Sequence, residues 1–268
     1  MRQTVSLARR RTKKLPQFSQ RRAQRSGPSV QDRSLEDFAP PTRASTLSGH
    51  PAGGEMSVTA MKARLKRDAE KYPESTRIRL HRALSWLGRA ERETKDPDAA
   101  FLFLWVAFNA AYARAFGQGE NERQRLSEFI AMLLAADRDK SLHAIVFQQF
   151  SGPIRTLIDN KFVFEPFWRA LREHDSSNRW KISFNASHKA ALASIMQGDT
   201  ATVLSIVFDR LYVLRNQLVH GGATWNSGIN RAQVKDGVRI LSTLVPAMLD
   251  IMLAQPDKIL ADIQYPVV

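Results

Sequence analysis

Apolar residues recur at helical spacing along almost the whole chain from residue 57 onward, and this periodicity constrains the fold more than any other feature of the sequence. Proline, glycine and short polar residues interrupt the pattern where helices are expected to begin and end. The predicted helices cover residues 57–72, 75–94, 98–116, 122–136, 140–150, 153–159, 166–173, 187–197, 200–220 and 231–254, with a short one near 257–263. The sequence therefore predicts an all-α domain over residues 56–268, with its densest core in the third, ninth and tenth of these helices.

Two short segments depart from the helical pattern. Pro246 lies inside the helix predicted over 231–254, and it is expected to kink or divide that helix because proline cannot donate the intrahelical hydrogen bond. Residues 180–184, WKISF, alternate in polarity like a strand, although no partner strand is evident.

Composition excludes several classes of protein. With 268 residues, 43% apolar and 25% charged, the chain is long enough to bury a full core and is unlike collagen, a coiled-coil rod or a wholly disordered protein. The chain contains no cysteine. Disulfide scaffolds, zinc sites built on thiolates, iron–sulfur clusters and cysteine nucleophiles are therefore excluded.

The formal charge of +14 is concentrated near the N-terminus. Residues 1–55 contain 11 Lys or Arg and 4 Asp or Glu, a net charge of +7. The much longer segment 56–268 contains 29 Lys or Arg and 22 Asp or Glu, which is also a net charge of +7. Because the first segment also has few large apolar residues, it is predicted to be a disordered basic leader. An organellar transit segment, a nucleic-acid-binding arm and an over-extended gene start at Met56 stay open as alternatives. The segment lacks the apolar core of a secretory signal.

The longest apolar run covers residues 101–113, FLFLWVAFNAAYA. Its thirteen residues fall well short of the roughly 20 that a membrane-spanning helix requires. The run is therefore interpreted as a buried helix, and the protein is predicted to be cytoplasmic without a membrane anchor.

The helix predicted over 200–220 carries the residues with the clearest chemical meaning. On a helical wheel, six apolar residues lie within about 60° of one direction. They are Leu204, Phe208, Leu211, Tyr212, Leu218 and Val219. Arg215 is expected at the centre of that stripe, where its charge must reach water, pair with a buried partner or face a second subunit. Asn216 and His220, four residues apart, form a separate polar line.

His220 falls in the last turn of this helix, directly before Gly221 and Gly222, and glycine there ends a helix in the left-handed conformation. The helix C-terminus also favours the protonated imidazole. A guanidinium that holds phosphate oxygens and an imidazole that transfers protons suit phosphodiester chemistry. A structural interpretation stays open, in which His220 caps the helix and Arg215 pairs with a carboxylate.

Two segments resemble motifs of one protein family. Residues 215–220, RNQLVH, resemble the R-x4-H signature of HEPN domains, particularly the Apea-like branch. Residues 104–117, LWVAFNAAYARAFG, resemble the W-x-A-F-N-x-x-Y helix of the same branch. The two motifs occur in the family's order, and the resemblance covers roughly residues 75–254.

The resemblance implies an up-and-down helical bundle with extra peripheral helices that pairs into a homodimer, whose two R-x4-H motifs converge in an interfacial cleft. It also implies an endoribonuclease that needs neither metal nor cofactor and leaves 2′,3′-cyclic phosphate and 5′-hydroxyl ends. Carried over to this chain, His220 handles protons, Arg215 holds the scissile phosphate, and Asn216 orients His220 or the phosphate. Asn109 is either a supporting residue on the facing helix or a satisfied core amide.

This sequence departs from one branch of the family. Toxins of the nucleotidyltransferase-paired branch carry R-x4-H-x-Y, but here the position two residues after His220 is Gly222. Many HEPN domains are also non-catalytic, so a helical module that binds RNA, a nucleotide or a partner protein is the alternative function. By resemblance, either function belongs to toxin or defence systems, with RNA and a cognate inhibitor protein as the expected partners.

Arg179, Trp180 and Lys181 combine cations with an aromatic ring and are predicted to contact RNA by stacking. The alternative is that Trp180 covers the core while the charges face water. The six histidines include no pair at i, i+3 or i, i+4 spacing and no HExxH motif, so no metal site is predicted.

Overall fold

The computed structural model describes residues 57–112, 122–228 and 230–258. Within these ranges the chain forms ten α-helices and no β-strand, which confirms the all-α fold class. The helices are α1 (Val58–Arg67), α2 (Glu74–Ala90), α3 (Pro97–Tyr112), α4 (Glu122–Ala136), α5 (Ser141–Ala144), α6 (Ser151–Ile158), α7 (Glu165–Arg172), α8 (Arg179–Gln197), α9 (Thr200–Val219) and α10 (Arg231–Ala254). The leader predicted over 1–55 and most of the short helix predicted near 257–263 lie outside the described residues.

The segment 180–184 is helical, so the prediction of a strand-like piece there is wrong. α8 begins eight residues before the predicted helix and includes the whole segment. Trp180 and Phe184 are four residues apart and therefore lie on the same side of a helix. They pack against Phe167 and Phe164, with ring centroids 5.0 and 5.3 Å apart. Ile182, which a strand would place beside them, is 70% exposed.

α10 continues through Pro246 without interruption, so the proline does not divide this helix. Proline leaves one backbone carbonyl in the preceding turn without its helical hydrogen bond and costs about 3 kcal/mol inside a helix. Apolar residues on both sides of it, including Leu244, Val245 and Met248, are almost fully buried in the core. Their burial offsets the cost of the missing hydrogen bond.

α2 and α3 form an antiparallel pair joined by a short loop. Far from the loop, Arg79 of α2 donates a hydrogen bond to the backbone carbonyl of Ala111, at 3.1 Å. Close to the loop, the ring of Trp86 stacks on Phe103 with centroids 5.8 Å apart.

α9 runs antiparallel to α3. Phe208 of α9 stacks on Phe108 of α3 with ring centroids 4.3 Å apart. One turn later in α9, Tyr212 contacts Trp105, which lies one turn earlier in α3, at 6.2 Å. The two helices that carry the predicted motifs therefore face each other across a layer of aromatic rings.

The other helices pack around this core. α10 packs against α2 and α3, and α1 covers α2 and α10. α4 and α8 flank α9, α6 packs against both α9 and α10, and α7 packs on α8. The described residues thus form an all-helical bundle with further helices packed around its core, which agrees with the all-α domain that the periodicity predicted.

Of the described helices, α10 alone is long and apolar enough to cross a membrane. In its most apolar stretch of 18 residues, 56% of the stretch is buried inside the protein, as in the core helix of a soluble protein. The structure is therefore compatible with a soluble protein.

α10 packs tightly against side chains of α3 and α9 at Gly237. Its start lies beside the start of α3, since Arg231 and Asp98 form an ion pair of 2.9 Å, and the two helices run in the same direction. A β-carbon at position 237 would lie 2.8 Å from Cε2 of Phe101 and 3.2 Å from Cδ2 of Leu211. Because these separations are shorter than van der Waals contact, only glycine fits between the buried side chains.

We expect Gly237→Ala to destabilise the protein by about 1–3 kcal/mol, because the added methyl group overpacks the buried ring of Phe101. Urea unfolding measures the change. Gly152→Ala is the matched control, since nothing lies within 4 Å of a β-carbon at that position and alanine favours a helix. Equal stability of the Gly237→Ala protein and the parent would contradict the close approach.

Candidate functional site

The buried face of α9 is centred differently from the predicted apolar stripe. Its fully buried residues include Leu204, Val207, Leu211 and Leu214. Arg215 is half-buried at one edge of this face, so its predicted place at the centre of the stripe is wrong. The predicted stripe included Val219, which is 53% exposed at the end of the helix. It did not include Val207 and Leu214, which are fully buried.

The guanidinium of Arg215 is held by two aromatic rings and one amide. Its Cζ lies 5.4 Å from the ring centre of Tyr212 and 6.0 Å from that of Trp105, both within cation–π range. One guanidinium nitrogen donates a hydrogen bond to Oδ1 of Asn216, at 2.8 Å. Among the described residues, no carboxylate lies within ion-pair distance of Arg215. Its charge is therefore oriented by neighbours that do not neutralise it.

His220 caps the C-terminal end of α9. Its backbone N–H donates to the carbonyl of Asn216 at 3.0 Å, and Gly221 then turns the chain away with a left-handed φ of 69°. The imidazole ring is exposed and makes no hydrogen bond with any described residue. The ring is thus accessible to a ligand.

Arg215 and His220 point to different sides of α9. Five residues separate them, which corresponds to about 140° around a helix. Asn216 lies between the two, about 40° from His220. A single copy of the chain therefore joins Arg215 to Asn216 but does not bring the guanidinium to the imidazole.

The loop that follows α9 is anchored to the start of α3. The indole N–H of Trp225 donates to Asp96 at 2.8 Å, and this hydrogen bond helps hold the pKa of Asp96 below its ordinary value. Asp98 accepts hydrogen bonds from the backbone of Asn226 at 2.8 Å and from Arg231 at 2.9 Å. Two carboxylates, one directly before α3 and one in its first turn, thus anchor the loop just beyond the motif.

A surface cavity of about 220 Å³ lies between α3, α4 and α9, and its lining includes Trp105 and Tyr212, the two rings that contact Arg215. Its apolar walls are the side chains of Trp105, Phe108, Tyr112, Leu126, Phe208 and Tyr212. At its rim, the hydroxyl of Tyr112 donates to Glu122 at 2.8 Å, and burial raises the pKa of this tyrosine. Arg123 and Asp209 form an ion pair of 3.0 Å on the same rim. Flat aromatic walls with polar groups at the rim suit a planar ring system.

Two buried polar atoms of α3 have no hydrogen-bond partner among the described residues: Nε1 of Trp105 and Oδ1 of Asn109. The two residues are four positions apart and share one face of α3. Trp105 also contacts the guanidinium of Arg215 and lines the cavity. Within the described part of the chain, the oxygen of Asn109 is therefore not that of a satisfied core amide.

The side chains of Arg179, Trp180 and Lys181 lie at the start of α8. Nε of Arg179 donates to the hydroxyl of Ser177 at 3.0 Å, and the ammonium of Lys181 lies 5.8 Å from the ring centre of Trp180. Trp180 is half-buried against Phe167, while both cations are exposed. One edge of the indole thus covers neighbouring apolar residues and the charges face solvent.

This cluster lies at the same end of α9 as His220. The ring of Phe167, which contacts Trp180, also contacts Phe162 at 5.5 Å. The backbone carbonyl of Phe162 accepts a hydrogen bond of 2.7 Å from Gln217, less than one turn before His220. The structure therefore brings the two predicted clusters to neighbouring positions, linked through Phe162.

Sequence reasoning missed Arg210, which is only 3% exposed. The positions three and four residues away on either side are Ile206, Val207, Val213 and Leu214. Because such positions share a helix face, Arg210 is a charged residue on an apolar face, which is the feature that made Arg215 a candidate. In the described ranges, no group of His, Asp and Glu side chains is placed to hold a metal ion.

The chain matches no protein-family model, no curated protein and no solved structure. The resemblance described above therefore rests on the motif residues of α3 and α9.

We expect Asp98→Ala to destabilise the protein by about 3–5 kcal/mol, because it leaves the largely buried Arg231 without its carboxylate partner. Hydrogen exchange of the loop at 221–228 should become faster, and urea unfolding measures the loss of stability. Glu93→Ala is the control, since it breaks an exposed ion pair with Arg89 that is worth at most about 1 kcal/mol. If Asp98→Ala lowers the free energy of unfolding as little as Glu93→Ala does, Asp98 does not anchor the loop.

Proposed function

We propose that the protein is a metal-independent endoribonuclease of the HEPN type, with Arg215, Asn216 and His220 as its active residues. The availability of the guanidinium and the imidazole carries the proposal. Arg215 has no acidic partner among the described residues, and the exposed ring of His220 has no hydrogen bond there. A guanidinium that no carboxylate neutralises and an exposed imidazole are both free to contact a phosphodiester.

In the proposed reaction, the 2′-hydroxyl of a ribose attacks the adjacent phosphorus. A bond forms between that oxygen and phosphorus while the bond from phosphorus to the 5′-oxygen breaks, which leaves a 2′,3′-cyclic phosphate and a 5′-hydroxyl. One imidazole accepts the proton of the 2′-hydroxyl, and a protonated imidazole donates to the departing 5′-oxygen. Arg215 stabilises the additional negative charge on the phosphate oxygens.

A homodimer supplies the second imidazole. Within one chain, Arg215 and His220 point about 140° apart around α9, so the His220 of a second copy is needed to complete the site. Exposed apolar side chains next to the motif support such an interface, since Val219 is 53% and Trp225 is 70% exposed. Burial of these side chains against a second copy removes apolar surface from water.

The exposed cations beside the motif provide a path for the RNA. Arg179 and Lys181 lie near the end of α9 that carries His220, and Trp180 is only half-buried, so part of its indole ring is accessible to a base. The proposal places the protein in the cytoplasm, with RNA as substrate and a cognate inhibitor protein as a regulator in a toxin or defence system.

A non-catalytic binding module is the second candidate function. The aromatic cavity between α3, α4 and α9 favours it, because its walls suit a nucleobase and two of its rings, Trp105 and Tyr212, also contact Arg215. RNA or nucleotide binding that persists in His220→Ala, together with absence of cleavage by the parent, identifies this function.

We expect His220→Ala to lower the rate of RNA cleavage in EDTA by about 10²–10⁴-fold, because it removes the group that transfers protons. Arg215→Ala should cause a loss of about 10²-fold or more, because the phosphate charge is no longer stabilised. Gel analysis with end-group mapping measures the rate and identifies the cyclic phosphate.

His174→Ala and Arg239→Ala are the matched controls, since both residues are exposed outside the motif. They should cleave like the parent. Unchanged cleavage by His220→Ala, or a parent protein that leaves varied RNAs intact, would contradict the nuclease.

We expect Val219→Asp to convert the dimer to a monomer and to abolish cleavage, because it places a carboxylate in the apolar interface. Light scattering coupled to gel filtration measures the mass. Met196→Asp is the control: Met196 is 87% exposed just before α9 begins, about 30 Å along that helix from Val219. A parent protein that is monomeric at micromolar concentration would contradict the proposed dimer.

A further inference from the structure

A second guanidinium is buried on the opposite edge of the buried face of α9. Arg210 is 3% exposed, and its Cζ lies 4.5 Å from the ring centre of Phe164 and 5.5 Å from that of Phe184. It donates one hydrogen bond, to the hydroxyl of Ser187 at 3.4 Å. The other N–H groups of the guanidinium have no partner among the described residues.

The nearby carboxylates are engaged by other cations. Asp209 pairs with Arg123 at 3.0 Å, and Glu165 accepts hydrogen bonds from Arg169 and Arg172 at 2.6 and 3.0 Å. Within the described residues, Arg210 therefore contributes a buried positive charge that no carboxylate neutralises. Such a charge is costly unless a ligand compensates it.

The guanidinium lines a cavity of about 260 Å³ between α8, α9 and the segment that precedes α7. The hydroxyls of Ser183 and Ser187 line the same cavity, as do Glu165 and the Arg123–Asp209 ion pair. Arg169 and Arg172, which pair with Glu165, do not line the cavity, so its charged lining comprises two arginines and two acids, and Arg210 is the one charged lining residue that forms no ion pair with a described residue. A cavity with hydroxyl donors and a guanidinium that no carboxylate neutralises has the chemistry that phosphate oxygens require.

We propose that Arg210, Ser183 and Ser187 form a binding site for a phosphate group, separate from the site at Arg215 and His220. Arg210 and Arg215 are five residues apart, so the two guanidinium groups point about 140° apart around α9. The guanidinium supplies paired donors to two phosphate oxygens, and the serine hydroxyls supply the remaining donors. The phosphate belongs either to a small phosphorylated molecule or to the RNA backbone.

The protonation of Arg210 is consistent with this site. Burial lowers its pKa to about 10, and the charge of Asp209 offsets only part of that effect. Arg210 is therefore charged at neutral pH even though burial destabilises its charged form, and a bound anion would offset part of that destabilisation.

Isothermal titration of the full chain at constant ionic strength tests the site. The probes are inorganic phosphate, adenosine 5′-monophosphate and a short RNA, with the RNA tested in a His220→Ala background so that it is not cleaved. We expect at least one probe to bind and Arg210→Met to weaken that binding about tenfold or more, because charge-assisted hydrogen bonds are lost. Ser187→Ala should weaken it less.

Two sets of variants keep the test decisive. Arg210→Met keeps the length of the side chain and removes the buried charge, so the fold is expected to persist, and circular dichroism checks this. Ser183→Ala and Ser187→Ala provide a test that does not depend on that variant. Arg239→Met controls for surface charge, and Arg215→Met shows whether small-probe binding is independent of the nuclease motif.

The outcomes are distinct. Binding of inorganic phosphate or the mononucleotide that depends on Arg210 supports a site for a small phosphorylated ligand, and Arg210-dependent binding of RNA alone supports a contact with the RNA backbone. The proposal is overturned if each probe binds the parent, Arg210→Met and the serine variants with the same affinity. It is also overturned if no probe binds the parent. None of these results depends on whether RNA is cleaved, so the nuclease and this site can fail separately.

Discussion

The aromatic contact between α3 and α9 determines the geometry of everything that surrounds it. Phe108 and Phe208 stack with ring centroids 4.3 Å apart, and Trp105 contacts both Phe208 and Tyr212. Large rigid rings have few ways to pack, so they fix both the distance between the helices and the rotation of α9 about its own axis. That rotation places Arg215 at one edge of the buried face of α9 and Arg210 at the other.

The periodicity of the sequence predicts the core helices well, because their buried faces are long and regular. The predicted ends of the helix over 231–254 agree with α10, and those over 200–220 agree with α9 to within one residue. The start of α8 could not be predicted in this way. Trp180 and Phe184 contact rings of a neighbouring segment, and only that tertiary contact distinguishes a helix from the alternation of WKISF.

The candidate site could be predicted in part. The glycines after His220 correctly indicate the end of the helix, since His220 is its cap and Gly221 has the expected left-handed φ. The contact of Arg215 with Trp105 could not be predicted from the sequence, because Trp105 is distant along the chain and meets Arg215 only through the packing of α3 on α9. Arg210 also lies among apolar residues on the helical wheel, but it belongs to no motif that would indicate a function.

α3 touches the motif of α9 at two places. Asp98 holds the loop beyond His220, and Trp105 lies beneath Arg215. These two residues are seven positions apart, which is almost two full turns, so both face the same side of the helix. The spacing of Asp98 and Trp105 along α3 therefore sets the relative positions of the loop after His220 and of Arg215. Inserting one residue between Asp98 and Trp105 would rotate one of them by about 100° around the helix relative to the other. The insertion would then misalign the two ends of the motif without changing any motif residue.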